Sequence, residues 1–303
     1  MPDIKTIPAI PRLVSLARSF KFVKNPVPIM NEAIDVYGDT YKMYMGGLIA
    51  GYVTREPAVV QHVLQKNHRN YKKSKLATET VARYVGKGLL TSDGDYWLQQ
   101  RRLIQPGFHR AKLAALVDIM NKVIDEVVDD MTHLAKAGQP ADLEEWMMKL
   151  AFNIVASTLF TTSMSEDDMR RLGQHISDLQ GFIIREVRQP YLNPWFKLSG
   201  TRRYYERMAE DANDLIRKVI RERKQHGQRF DDLLDMLLAA RYEDTGEGMN
   251  EQQLLEESLI LFLAGHETTA NALSWILYLL SQNETVYEKL MAEMDAVVTD
   301  GSV

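Results

Sequence analysis

The residues of this 303-residue chain whose types could do chemistry are concentrated in one short stretch, Ala264-Gly265-His266-Glu267-Thr268-Thr269. It places a glycine, a carboxylate and two hydroxyls inside an otherwise apolar segment. A glycine in a helix interior costs about 1 kcal/mol relative to alanine, and threonine hydroxyls that bond back to preceding carbonyls bend a helix. Two interpretations account for such residues: a ligand site, or a kink whose buried polar groups are satisfied.

The element that must position this stretch is a long helix. Asn250 can cap it with Gln253 three residues later, and apolar residues then continue to about residue 280. The pattern predicts one helix of roughly 30 residues, about 45 Å long. Because apolar residues occupy nearly every side, we expect it to cross the interior of a large domain. Charged and polar residues between 256 and 271 exclude a membrane span.

Helical periodicity places three of these residues on one face. Ala264 and Thr268 are four positions apart and share that face with Leu261, while Glu267 flanks it. A small residue beside a hydroxyl and a carboxylate leaves room for a flat ligand and supplies a proton path.

A second candidate cluster lies earlier in the chain. Trp97 and Arg101 have the i, i+4 spacing that presents an indole donor beside a guanidinium fork. Such a pair suits a carboxylate or a phosphate. The same spacing also occurs in cation–π pairs at protein surfaces, so by itself it leaves both interpretations open. The preceding segment 86–94 is rich in glycine and is predicted to be a loop that leads into this helix.

Together the two motifs resemble those of the cytochrome P450 family, the haem-thiolate monooxygenases. The stretch 264–269 matches the central-helix motif of that family. The stretch 97–102, followed by Pro106-Gly107-Phe108-His109, resembles its third helix. The order of the motifs, and a separation of about 170 residues, also fit. The resemblance implies a haem b cofactor and electrons from NAD(P)H that arrive through a redox partner.

For the central helix, the resemblance implies roles beside the haem. Thr268 would hydrogen-bond to dioxygen and Glu267 would help to relay protons, which makes both of them candidate catalytic residues. Ala264 would leave room above the ring, and Gly265 would adjoin the cofactor with it.

For the earlier motif, the resemblance implies propionate and substrate contacts. Trp97 and Arg101 would hold a haem propionate, and Lys73 is a candidate for a second propionate contact. Leu90 would line the substrate pocket from the loop, together with Leu261 and Ala264 from the central helix.

Two features of the family are missing from these residues. The chain has no cysteine, so it cannot supply the thiolate that binds the iron. It also has no Glu-x-x-Arg sequence. Both belong to the last third of the family's sequences. We therefore predict that residues 1–303 are a single but incomplete domain, the N-terminal portion of a cytochrome P450 domain. It would end after the long central helix and the next helix, in a loop at Asp300–Val303.

The missing thiolate also leaves a different class of function open, namely an inactive or accessory helical protein that binds a ligand without redox chemistry. If the domain is incomplete, the central helix should lack partners on one side. The chain by itself should then expose a large apolar patch and aggregate.

The remaining sequence predicts a mostly α fold with a small β-hairpin near the N-terminus. The hairpin consists of strands 40–45 and 49–54. Helices are predicted over 31–38, 57–64, 112–134, 142–160 and 201–226. The segment 189–194 breaks two helical stretches and corresponds to the variable lid over the family's pocket.

Composition and motif spacing exclude several other classes. A net charge of −4 and the lack of basic clusters with stacking aromatics argue against nucleic acid. Five prolines in the first 30 residues argue against a signal peptide or membrane anchor and favour a cytoplasmic protein.

The zinc-protease motif fails because Ala270 stands where its second histidine would be. The seven histidines are scattered, and each is interpreted as a surface or capping residue, so no metal site is predicted.

The expected partners follow from the resemblance. They are a small apolar substrate, dioxygen, and a ferredoxin, flavodoxin or reductase domain as electron donor. Arg101, Arg102 and Arg110 could receive an acidic donor, and His109 lies at the end of the helix that faces the donor in the family.

Overall fold

A computed structural model describes residues 7–161, 164–227 and 229–297, and it confirms a mostly α fold with a hairpin near the N-terminus. The strands are β1 (Thr40–Met45) and β2 (Ile49–Thr54). The α-helices are α1 (Arg12–Lys24), α2 (Pro26–Tyr37), α3 (Pro57–Gln61), α4 (Ala82–Val85), α5 (Gly94–Ile104), α6 (Arg110–Ala114), α7 (Val117–Lys136), α8 (Leu143–Phe160), α9 (Glu166–Arg188), α10 (Asn193–Leu198), α11 (Thr201–His226), α12 (Leu233–Ala239), α13 (Glu251–Ser281) and α14 (Glu284–Val297). The predicted loop at 300–303 lies outside the described residues.

The chain divides into two compact units. The first consists of residues 1–102, 170–218 and 255–257, and the second of residues 103–169, 219–254 and 258–303. Among the described helices none is long and apolar enough to cross a membrane.

In the first unit, the hairpin matches the prediction residue for residue. Thr40 pairs with Thr54 at its open end, and Gly46 and Gly47 make the turn at positive φ. Any other residue at either position would be strained, because only glycine adopts this conformation freely. Ile10 adds a short bridge by donating its N–H to the Lys42 carbonyl.

The interior of the first unit contains packed aromatic rings and the buried carboxylate of Glu186. The Phe182 ring stacks on Tyr205 with centroids 4.0 Å apart. Beside it, Glu186 is 1% exposed and accepts hydrogen bonds from the Tyr84 hydroxyl at 2.7 Å and from Arg83 and Arg202. Because three donors surround this carboxylate, its burial leaves no oxygen unsatisfied.

The second unit contains a buried ion-pair network. The Arg223 guanidinium donates to Asp232 at 2.9 Å, to Asp235 at 2.8 Å and to the Phe160 carbonyl at 3.2 Å. These bonds raise the pKa of Arg223 although burial opposes its charge. The network joins the ends of α8, α11 and α12.

The predicted long helix is confirmed as α13, which has 31 residues. Asn250 and Gln253 form the predicted capping box at its N-terminus. Leu259, Ile260 and Phe262 are at most 5% exposed, so this part of the helix is enclosed on several sides.

Other helix predictions were correct in type but differ in extent. The segment predicted as one helix over 112–134 is divided into α6 and α7, and its apolar residues Leu113 and Ile124 are 38% and 36% exposed. The helix predicted over 57–64 continues from α3 into a π-helical turn at His62–Lys66. Helix α1 was not predicted. The helices at 142–160 and 201–226 are confirmed as α8 and α11. The break predicted at 189–194 is shorter than expected, because α9 ends at Arg188 and α10 begins at Asn193.

The second half of α13 and all of α14 carry large exposed apolar side chains. Trp275 is 63% exposed, Tyr278 and Leu279 are each 52% exposed, and α14 has no buried residue. We call the exposed apolar side chains of residues 275–279 and of α14 the open face. A face of this kind favours association with another apolar surface.

We predict that the open face makes the 303-residue chain self-associate. Trp275→Lys combined with Leu279→Lys should reduce association without unfolding, because both side chains are already exposed. Sedimentation velocity at micromolar concentration would measure it.

The control is Asn271→Lys with Gln282→Lys, which adds the same charge at exposed polar positions of the same region. It should leave association nearly unchanged. A native chain that sediments as a monomer would contradict the prediction.

Candidate functional site

The chemistry-bearing motif of α13 has an open side. Ala264 and Thr268 are exposed and Leu261 is half-buried, so the predicted face exists. The Thr268 hydroxyl donates to the Ala264 carbonyl at 2.5 Å, which is the predicted bond back to the preceding turn. The hydroxyl is therefore held at the helix surface, where it can exchange this bond for one to a ligand.

The same motif also has a packed side. A Cβ on Gly265 would lie 2.8 Å from Cγ2 of Val155, so the glycine allows α8 to approach closely. His266 is 3% exposed, and its ring centroid is 5.5 Å from that of Phe152. The interpretation of every histidine as a surface or capping residue is therefore wrong for His266.

Burial favours the neutral form of His266. It lowers the pKa of the imidazole, and a hydrogen bond to the backbone of Met148 opposes this effect only in part. The Nδ1 atom is buried without a hydrogen-bond partner among the described residues. His266 thus acts as an aromatic packing residue in the second unit.

Glu267 lies between these two sides. Its side chain is half-buried and makes no hydrogen bond or ion pair within the described ranges. A carboxylate with unused oxygens at the edge of an exposed face can accept and release protons to water.

The earlier cluster lies on α5 in the first unit. Trp97 is half-buried, and Arg101 is exposed with no ion pair to any described residue. The Lys73 ammonium lies 5.5 Å from the centroid of the Trp97 ring and donates to the Leu89 carbonyl at 2.5 Å. Burial lowers the pKa of Lys73. An indole and two cationic side chains are therefore present in one region.

The predicted loop before α5 is confirmed and is held by its own hydroxyls. Thr91 Oγ1 donates to the Gly86 carbonyl at 2.6 Å, and Ser92 Oγ donates to the Gly88 carbonyl at 2.8 Å. Leu90, the predicted pocket residue, is 45% exposed. The hydrogen bonds hold the backbone of the loop, and the exposed side chain of Leu90 can contact an apolar ligand.

One residue of the first unit was missed as a site residue. Glu257 is 2% exposed, and its Oε2 accepts from the Leu89 N–H at 3.1 Å. Burial raises the pKa of Glu257 to about 7. Its Oε1 is buried without a partner in the described structure. The sequence did contain a signal for this site, namely an acidic residue in an apolar helix. The sequence analysis used that residue only as an argument against a membrane span.

Comparison with known proteins identifies the family. The sequence profile of the family described as Cytochrome P450 matches residues 6–303, almost the whole chain. The chain belongs to the cytochrome P450 family. The resemblance inferred from the two motifs is thereby confirmed, and the mostly α fold agrees with it.

Individual relatives of this cytochrome P450 come from bacteria and plants. Cyclooctatin synthase of Streptomyces melanosporofaciens is 31% identical over 270 residues, which cover 88% of this chain and 57% of that protein. Cyclooctat-9-en-7-ol 5-monooxygenase of the same species is 29% identical, with coverage of 88% and 56%. Protein LUTEIN DEFICIENT 5 of Arabidopsis thaliana is 25% identical, with coverage of 96% and 51%. The chain thus spans little more than half the length of these relatives.

Membership of the cytochrome P450 family implies haem, and the residues present fit this group in part. The exposed guanidinium of Arg101, one helical turn after Trp97, suits a propionate, and the exposed, small Ala264 leaves room for a flat ring. The iron ligand does not fit, because the chain has no cysteine. No cluster of histidine and acidic residues suitable for a metal occurs among the described residues either.

We predict that the free energy of unfolding depends on pH through Glu257. Its pKa is raised from 4.5 to about 7, so the stability it contributes is present below pH 4.5 and lost as the pH rises through 7. Glu257→Gln keeps the hydrogen-bond acceptor and removes the charge. At pH 8 the free energy of unfolding of the variant should therefore exceed that of the native chain by up to about 3 kcal/mol. At pH 5 the difference should be much smaller. Urea unfolding at both pH values measures this.

Glu251→Gln is the control, because Glu251 forms an ion pair with Arg221 and its side chain is 37% exposed. It should show no such gain at pH 8. An equal effect of Glu257→Gln at pH 5 and pH 8 would refute the assignment of a raised pKa.

Proposed function

We propose that these residues form the haem- and oxygen-handling portion of a monooxygenase that oxidises C–H bonds of an apolar substrate. In the overall reaction one oxygen atom of dioxygen enters the substrate. The other leaves as water after two electrons and two protons are taken up. The observation that carries the proposal is the two-sided motif of α13. Gly265 and His266 are used for packing, whereas Ala264 and Thr268 are exposed where packing requires nothing polar.

Trp97, Arg101 and Lys73 are proposed to hold the haem propionates. Indole and guanidinium donors bind carboxylates with defined geometry, and a second cation adds charge complementarity. Because Lys73 already donates to the Leu89 carbonyl, a propionate would share its remaining protons. Bound haem would supply the activation of dioxygen.

Thr268 and Glu267 are proposed to serve as the catalytic residues. The Thr268 hydroxyl can turn from the Ala264 carbonyl to donate a hydrogen bond to dioxygen. The unpaired Glu267 carboxylate can relay protons from water to replace those that the reaction consumes. The side chain of Ala264 is a single methyl group, so it leaves space on this face for a ligand. Each of these roles requires an exposed helix face, which these residues have.

The thiolate ligand is proposed to come from outside residues 1–303, because the chain has no cysteine. The open face supports this, since its exposed apolar residues would pack against further polypeptide. The domain would then be completed by that polypeptide.

Leu90 and Leu261 are proposed to line the substrate pocket, and both are apolar and at least partly accessible. The name of the relative cyclooctat-9-en-7-ol 5-monooxygenase describes oxygenation of a largely hydrocarbon molecule. A substrate of similar apolar character suits these side chains.

Electrons are proposed to come from NAD(P)H through a ferredoxin, flavodoxin or reductase domain. Arg101, Arg102 and Arg110 are all exposed and could attract an acidic donor.

We predict that haem-supplemented, dithionite-reduced chain shows no thiolate-type Soret band under carbon monoxide. The same measurement on the whole enzyme, with its cysteine, should show one. Arg101→Leu in the whole enzyme should weaken haem retention about tenfold, as loss of one charge-assisted bond would. Absorption spectra recorded during haem titration measure both.

Arg102→Leu is the control, because Arg102 is an equally exposed neighbour without a proposed haem contact. Tight haem uptake by the 303 residues with a histidine-type spectrum would contradict the proposal. It would favour the accessory, ligand-binding alternative.

We also predict that Thr268→Ala in the whole enzyme raises the share of electrons lost as hydrogen peroxide. The hydroxyl that donates toward dioxygen would be gone, while the helix loses only its bond to the Ala264 carbonyl. Peroxide and product formed per NAD(P)H consumed are the quantities to measure. Thr268→Ser keeps the hydroxyl and should retain native coupling. Unchanged coupling in Thr268→Ala would remove Thr268 from the mechanism.

A further inference from the structure

Both backbone polar groups of Leu89 are held by charged side chains from distant segments. Its N–H donates to Glu257 Oε2 at 3.1 Å, and its carbonyl accepts from Lys73 Nζ at 2.5 Å. Glu257 is 168 positions away in sequence and Lys73 is 16 positions away. An acid and a base therefore bracket the residue that precedes Leu90.

The loop itself lies directly against α13 at its other end. A Cβ on Gly86 would lie 2.3 Å from Cγ of Glu256, and the φ angle of Gly86 is +76°. Bonds from the Thr91 and Ser92 hydroxyls fix the shape of the loop but not its place on the helix. The Leu89 N–H ties the loop to α13 through the side chain of Glu257.

An acid is an unfavourable choice for a purely structural bond here. A neutral amide would accept the same hydrogen bond without burial of an ionisable group. Glu257 instead leaves Oε1 buried without a partner in the described structure, and the half-buried Lys73 is also ionisable. Packing does not require either group, which favours a functional reason.

We infer that Glu257 and Lys73 are positioning residues, which hold Leu89 from both sides and so set where Leu90 stands in the substrate pocket. They would thereby decide which C–H bond of an apolar substrate is oxidised. This inference rests on the proposed function, because it takes Leu90 to line the pocket.

The charges that face Glu257 determine how this clamp responds to pH. Among the described residues they are Lys73 and, on the same helix, Glu256. Asp93 acts on Lys73 in turn, because it accepts the Lys73 backbone N–H and its charge raises the Lys73 pKa. Burial raises the pKa of Glu257 more than Lys73 lowers it. A raised pKa means that the held loop binds a proton more tightly than an opened loop. The clamp should therefore loosen as the pH rises through about 7.

Amide hydrogen exchange of segment 86–93 in the full chain tests the clamp. Glu257→Leu and Lys73→Met each remove one side and should each speed exchange at Leu89 about tenfold or more, since each loses a bond to a charged group. Protection of Leu89 in the native chain, corrected for intrinsic exchange, should fall between pH 6 and pH 8. Glu257→Gln should stay protected at both pH values. Glu251→Gln serves as the control and should match the native chain.

Oxidation of dodecane by the whole enzyme tests the positioning role. Its methylene groups are nearly equivalent chemically, so the pocket decides which of them reacts. Glu257→Leu and Lys73→Met should at least double the share of minor positional alcohols. Glu257→Gln should keep the native distribution at pH 6.

Each outcome bears on a different part of the inference. Unchanged exchange at Leu89 in both Glu257→Leu and Lys73→Met would overturn the clamp. Faster exchange with an unchanged alcohol distribution would overturn the positioning role and leave a structural contact. A whole enzyme that does not oxidise dodecane would count against the proposed apolar substrate class and the positioning role together. The exchange result would still decide whether the two side chains hold the loop.

Discussion

The burial of one side of α13 is the constraint on which the rest of the structure depends. Isolated helices owe little stability to propensity alone, and this one contains a glycine and two adjacent threonines in its interior. Packing compensates, because Phe262 and Ala270 are fully buried and Gly265 lets Val155 of α8 approach. The irregular composition of the motif is tolerated because one side is packed tightly, and this leaves the other side available for chemistry.

Among the described residues, the buried charges of Glu186 and Arg223 have several hydrogen-bond partners each, whereas that of Glu257 has a single donor. Glu186 has three donors, and Arg223 has two carboxylates and a carbonyl. Breaking such networks is strongly destabilising, so these residues serve the fold. Glu257 has a single donor, and its other oxygen has no partner in the described structure. The same physical criterion, the number of hydrogen bonds per buried charge, thus separates structural acids from a candidate positioning residue.

Two independent observations, the length of the relatives and the exposure of the open face, support the proposal that further polypeptide completes the domain. The chain covers little more than half of its relatives, and the apolar side chains of α14 and the end of α13 are exposed. Exposed tryptophan, tyrosine and leucine side chains gain free energy by burial. The proposal of a cysteine supplied by further polypeptide accounts for both the missing iron ligand and this face.

Local interactions were determined by the sequence itself. Residues close in sequence make these interactions, so their spacing predicts the Asn250–Gln253 capping box, the hairpin of strands 40–45 and 49–54, and the helix over 142–160. The motifs at 97–102 and 264–269 likewise gave the family from residue types alone. Only the tertiary structure decided that His266 is buried, that α6 and α7 are separate, and that Glu257 and Lys73 meet at Leu89. Burial and charge pairing depend on which distant side chain is nearby, and for Glu257 that partner is 168 positions away.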